Sequence, residues 1–122
     1  METVLKEGDA PATIFSAAID PVTKRFCMGT IDGTLLLHSS GDNPPERINI
    51  SRGSVRSVEF TDDSGSLLVG DKSGTIQIFD LSQSRSTSTW KDSHGVAVEV
   101  AKFITPNIFV VGDTDGNLKV FD

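Results

Sequence analysis

Few residues of this 122-residue chain are of a type and spacing that could do chemistry. A histidine with a carboxylate can ligate a metal or orient a general base. His94 and Asp115 are the one pair that the register of the chain could bring together. Their repeated positions favour a structural reading, a buried His–Asp link that stitches a loop to a turn. His38 stands alone at the end of an apolar run, with no second ligand in sight. Cys27 is the single cysteine and lies between Phe26 and Met28. An apolar site disfavours its thiolate, so an inert core thiol is predicted rather than a nucleophile, and no internal disulfide can form. Asp62-Asp63, and the aspartates 113 and 115, resemble sparse calcium loops. They lack the Asp-x-Asp-x-Asp-Gly pattern closed by a distal glutamate, and solvated turns are predicted instead. There is no P-loop, no Cys-x-x-Cys and no Gly-x-Ser-x-Gly. No catalytic, cofactor-binding or metal-binding residue is therefore assigned, and a protein that is not an enzyme is expected.

Composition narrows the partners. The net charge is −6, and no Lys/Arg cluster is long enough to track a phosphate backbone. Direct binding of nucleic acid is not expected. No apolar run approaches the roughly 20 residues that cross a bilayer, and the first residues have no basic segment leading into an apolar one. A soluble intracellular protein with no membrane contact is the expectation. Apolar residues make up 37% of the chain and charged residues 23%, enough for one packed domain.

The elements that position these residues are set by an internal repeat. Gly29-Thr30-Ile31-Asp32-Gly33 is followed by Gly70-Asp71-Lys72-Ser73-Gly74 and by Gly112-Asp113-Thr114-Asp115-Gly116. The second glycines fall at 33, 74 and 116, spacings of 41 and 42 residues. That period is the length of one four-stranded propeller blade, about 40–45 residues. Each unit reads as an apolar strand, a tight turn and an alternating strand, with earlier inner strands in register at Ile14–Ile19, Val55–Phe60 and Val98–Phe103. Second strands follow at Phe26–Met28, Leu67–Val69 and Phe109–Val111. Nothing sustains a helical period. The fold class predicted is all-β, with eleven or twelve strands in three antiparallel propeller blades.

Outer strands are expected at Arg47–Ile50 and at Thr87–Trp90, the latter after a polar Ser/Arg loop over 82–86. The expected division is residues 1–8 as the outer strand of a neighbouring blade, 9–50 as blade one, 51–91 as blade two and 92–122 as blade three, whose outer strand is missing. Three blades do not close a ring, which usually needs 4–8. The chain then belongs to a larger ring or closes by association. In the second case Thr3-Val4-Leu5-Lys6 would complete blade three of a second copy, giving a homodimer with six blades.

The endings Phe79-Asp80 and Phe121-Asp122, with His38-Ser39 as a divergent form, resemble the Trp-Asp ending of WD-repeat β-propeller proteins. More narrowly, Ser93-His94-Gly95-Val96-Ala97-Val98 with Asn107–Gly116, and Pro11–Ala17 with Gly29–Gly33, resemble the first three blades of the WD repeat-containing protein 55 family. The resemblance implies a nuclear or nucleolar scaffold in ribosome biogenesis and rRNA processing, with other proteins as partners. It also implies structural roles for His94 and Asp115 in blade three and for Asp32 in blade one. Phe79 and Phe121 stand where the family has tryptophan, and a phenyl ring cannot donate the hydrogen bond an indole gives.

Binding residues are expected on the rim where turns and loops leading into the blades emerge together. Arg52, Ser54 and Arg56 with Lys72 could receive an acidic peptide or a phosphate, against the alternative of ordinary solvated charge. Asp92, Ser93 and Thr114 hold the same rim on blade three. Trp90, the only tryptophan, is expected to pack over a blade edge or to anchor a partner. Two other functions are weighed. A ubiquitin-ligase substrate receptor would carry Trp-Asp-x-Arg, where Phe79-Asp80-Leu81-Ser82 lacks both the Trp and the Arg. A propeller hydrolase would need convergent acids or metal ligands, where only scattered single residues stand.

Overall fold

The computed structural model describes residues 13–39, 44–91 and 95–122. Among them it forms eleven strands and no helix. β1 (Ile14–Ile19), β2 (Phe26–Thr30), β3 (Thr34–His38) and β4 (Glu46–Asn49) make the first sheet, in that spatial order. β5 (Val55–Phe60), β6 (Ser66–Asp71), β7 (Ile76–Asp80) and β8 (Arg85–Trp90) make the second. β9 (Val98–Thr105), β10 (Ile108–Asp113) and β11 (Leu118–Phe121) make a third sheet of three strands. All pairings are antiparallel meanders, the arrangement of successive WD blades. The turns before β3, β7 and β11 end on Gly33, Gly74 and Gly116, with φ of 89°, 91° and 85°. A Cβ there would be penalised, which is why the repeat keeps glycine at that point.

The sheets pack face to face, and the core lies in the two seams between them. One cluster joins Cys27, Leu35 and Leu37 to Val58, Phe60, Leu67 and Val69 across the first seam. The other joins Leu68 and Ile76 to Val98, Ala101, Phe109 and Val111 across the second. The middle sheet is covered on both sides, and its strand β6 reads as an unbroken apolar run, Leu67-Leu68-Val69. Each inner strand starts with a bulge, between Ile14 and Ser16, between Val55 and Ser57, and near Val98. Residues past the bulges tie the seams. The Ser16 hydroxyl donates to the Val55 carbonyl at 3.0 Å, and the Ala101 N–H donates to the Ser57 hydroxyl at 3.0 Å.

Several expected boundaries move: β2, β6 and β10 run past the second strands expected at 26–28, 67–69 and 109–111, and β4 sits one residue before the expected 47–50. The Ser/Arg stretch placed in a loop over 82–86 contributes its last two residues to β8, which begins at Arg85. Alternate β8 side chains are exposed, so an outer strand needs little apolar content to form. β9 runs on to Thr105, two residues past the expected end. The strand expected at Thr3–Lys6 lies outside the described residues.

Candidate functional site

The turns of the repeat hold its most densely bonded polar groups. Asp71, at the end of β6, is only 5% exposed. Its Oδ1 accepts from the Ser73 N–H at 2.9 Å, the Ser73 hydroxyl at 2.7 Å and the Thr75 N–H at 3.0 Å. Its Oδ2 accepts from the Ser51 hydroxyl at 2.7 Å, which fastens the loop leading into the second sheet to the turn of the same sheet. Asp113 repeats the geometry at the end of β10, accepting from the N–H groups of Asp115 and Asn117, both at 2.9 Å. In the first sheet Thr30 takes this place, accepting from the Thr34 N–H at 3.1 Å and donating to Asp32. The Thr30 hydroxyl holds the Asp32 carboxyl below the usual carboxylate range.

The aspartates singled out from sequence, Asp32 and Asp115, are exposed side chains one position before the turn glycine. Asp115 contributes its backbone N–H to the Asp113 carboxylate. His94, its expected partner, lies outside the described residues, as do Asp92 and Ser93. Asp71 is not among the residues the sequence singles out, and Asp113 enters there only as part of a sparse calcium-like loop. Their signal was the residue just after the first glycine of each repeat, where an Asx turn captures the N–H two residues on.

Phe79 is buried in the second sheet, and Phe121 packs at the edge of the second seam. Trp90 meets Phe109 and Phe121 edge to face, with centroids 5.4 and 5.5 Å apart. Its indole thus closes the outer end of that seam. Phe26 stacks on the His38 ring at 4.6 Å. Burial pushes the Cys27 thiol up to about 12, which keeps it protonated and unreactive.

The rim residues divide. Ser54 is buried, its carbonyl accepting from the Lys72 N–H at 3.0 Å. Arg56 turns its Nε to the Ser54 hydroxyl at 2.9 Å and lays its guanidinium over the Phe15 ring at 4.9 Å. Arg52 and Lys72 are exposed. A cavity of about 510 Å³ brings Arg52 together with Lys91 across a wall of Ser51, Ser73, Thr75 and Thr89. Lys91 was not singled out from sequence, being a lone cation at a strand end. At the opposite end, Lys102 Nζ stands 3.9 Å from Glu59 Oε2. Burial pushes the Glu59 carboxyl up, and the lysine works against that shift.

These are the geometries of turn closure and seam packing. Among the described residues no group of three or more His, Cys, Asp or Glu is placed to hold a metal ion. No helix among them is long and apolar enough to cross a membrane.

No family model matches the chain. It is similar to WD repeat-containing protein 55 of Danio rerio, 30% identical over 116 residues, which is 91% of this chain and 30% of that protein. The WD repeat-containing protein 55 homolog of Aedes aegypti is 28% identical over 100 residues, 80% of this chain and 21% of that protein. That of Drosophila ananassae is 25% identical over 105 residues, 84% and 22% respectively. The chain spans between 21% and 30% of the length of these curated relatives. With its repeat and its three antiparallel sheets, the chain has the architecture of successive WD blades, and its sequence resembles WD repeat-containing protein 55.

Proposed function

We propose that the chain is part of a non-catalytic scaffold that binds other proteins, in a nuclear or nucleolar assembly that processes ribosomal RNA. The observation that carries the scaffold reading is where the exposed large apolar side chains stand. Ile14, Phe15 and Ile19 are on the first sheet, and Val100, Ile104, Leu118 and Val120 are on the third. Surfaces of that kind are association sites when they are contiguous. The two end faces are therefore the protein-binding surfaces, and a second copy of the chain is one partner they suit. The place in ribosome biogenesis rests on the likeness to WD repeat-containing protein 55.

An affinity-tagged chain, crosslinked in cells and analysed by mass spectrometry, should recover pre-ribosomal proteins. Its depletion should lengthen the lifetime of a precursor rRNA on a northern blot. Recovery of a ubiquitin-ligase core with unaltered precursor rRNA would replace this reading by that of a substrate receptor.

A further inference from the structure

Arg52 rides on a loop that is fastened along its length before the second sheet begins. The N–H groups of Ile50 and Ser51 both donate to the Gly33 carbonyl, at 3.0 and 3.1 Å. Gln77 Nε2 donates to the Ile50 carbonyl at 2.9 Å, and the Ser51 hydroxyl donates to Asp71 at 2.7 Å. The Gly53 N–H donates to the Ser51 hydroxyl oxygen at 3.1 Å, and the Lys72 N–H closes the loop on the Ser54 carbonyl. A loop held in this way has little backbone freedom left to lose when its exposed side chain takes a ligand, which is what a preorganised site needs.

That loop makes one wall of the cavity of about 510 Å³, and the end of β8 makes another. Side chains alternate along β8, so Trp90 packs into the second seam while Thr89 and Lys91 are exposed. Among the described residues neither Arg52 nor Lys91 forms an ion pair. The carboxylate on the wall, Asp71, already accepts from four donors. Lys72 stands beside the rim, its Cβ 3.3 Å from where a Cβ of Gly53 would lie. Three cations thus gather at one mouth of a chain whose net charge is −6. The repeat does not require them. Gly95 stands three places before Val98, as Arg52 stands three before Val55. Asn49 lies opposite Thr34 in the first sheet, where Lys91 extends β8 past the Ile76–Trp90 pair in the second.

We propose, on the reading that the chain binds other proteins, that this cavity takes a phosphorylated serine or threonine side chain of a partner protein. A phosphoryl group at neutral pH carries a charge of about −1.5 to −2 and three acceptor oxygens. The planar fork of Arg52 can grip two of those oxygens, and Lys91 can meet the third as a point charge, with the Thr89 hydroxyl on the same wall. A single carboxylate would leave one of the two cations unanswered. A nucleic acid fits less well. Its successive phosphates would meet the negative charge of the rest of the chain, and no aromatic ring among the described lining residues offers a base a stacking surface.

The test is an NMR titration of the whole nitrogen-15-labelled chain with a capped alanine peptide carrying one central phosphothreonine. The amides of Arg52, Gly53, Ser73, Thr89 and Lys91 should shift and saturate together, and the same peptide without its phosphate should move none of them. Arg52→Ala and Lys91→Ala should each weaken binding about tenfold. Both side chains are exposed, so the melting temperature should hold. Lys102→Ala, at the opposite end of the molecule, should leave the affinity unchanged. Equal affinity in all three variants, or shifts scattered over every lysine and arginine, would overturn the site. An oligouridylate that shifts the same amides and binds tighter than the phosphopeptide would overturn the partner class. A chain that binds no phosphopeptide but still recovers pre-ribosomal proteins from crosslinked cells would overturn the site and leave the scaffold reading standing.

Discussion

One carboxylate at Asp71 satisfies two backbone N–H groups and two hydroxyls, and through Ser51 it spans 20 residues of chain. An aspartate suits the place because an ionised carboxylate has about four acceptor positions and no proton to misplace. Asp113 does the same work with Asn117, whose side-chain amide also donates to it at 3.2 Å. Removing either acceptor leaves donors stranded near the core. Asp113→Ala should cost about 1–3 kcal/mol, read from the urea midpoint. Asp115→Ala should cost less, since its side chain is exposed and only its N–H serves the turn. An equal loss at both positions would mean that the Asp115 carboxylate has a buried partner, for which His94 is the candidate. The repeat made the turn legible through Asp32 and Asp115, which adjoin its glycine. The buried carboxylate of the third repeat, Asp113, sits two places before Asp115 and is matched by Thr30 in the first repeat.

Among the strands, the apolar ones were legible outright, and the polar outer ones were legible in place but not in their bounds. β6, with Leu67, Leu68 and Val69 all buried, declares itself because both its faces meet apolar seams. β8 is expected only from Thr87, because Arg85, Thr87 and Thr89 face solvent and their types do not mark where the loop gives way to strand. Gly29 and Gly70 open their repeat units, and it is the side chains packed against them, Val55 and Val98 of the neighbouring sheets foremost, and not their own backbone that hold them as glycine. Neither has positive φ. Gly70→Ala should therefore destabilise by overpacking against Val98, about 1–3 kcal/mol, although alanine is the better β-residue in isolation. Thermal melts of Gly70→Ala and Gly112→Ala should separate the two, because a Cβ at Gly112 would meet only Val100 Cγ1 at 3.4 Å and Leu118 Cδ1 at 4.0 Å. A Gly70→Ala melt matching the parent would show that the second seam yields freely.

For the molecule as a whole, the repeat count predicted apolar surface on the first and third sheets, and exposed large apolar side chains stand there, among them Ile14 on the first and Val100, Ile104, Leu118 and Val120 on the third. The repeat count could not give the charge organisation of the loops. Asp20 is held below its ordinary value of 3.8 chiefly by the Thr23 hydroxyl, which donates to it at 2.5 Å. Thr30 does this for Asp32, Thr61 for Asp63 and Ser82 for Asp80. A carboxylate whose folded pKa is lowered binds fewer protons folded than unfolded. Its stabilisation is present above 3.8 and is lost as pH falls below that, through the folded value. Glu59 has the opposite sign. Its raised pKa favours the fold below 4.5, and that contribution is lost as pH rises through the raised value. Four groups act in one direction and one in the other, so the melting temperature should fall as pH drops below about 4. Asp20→Asn should flatten the acid limb, because the amide keeps the loop's shape and has no proton to gain. Glu59→Gln should leave the acid limb intact and remove the decline above pH 4.5. Melts taken from about pH 3 to 8 on the three proteins decide the matter, and an acid limb of equal slope in Asp20→Asn would show that the loop hydroxyls do not hold these carboxylates.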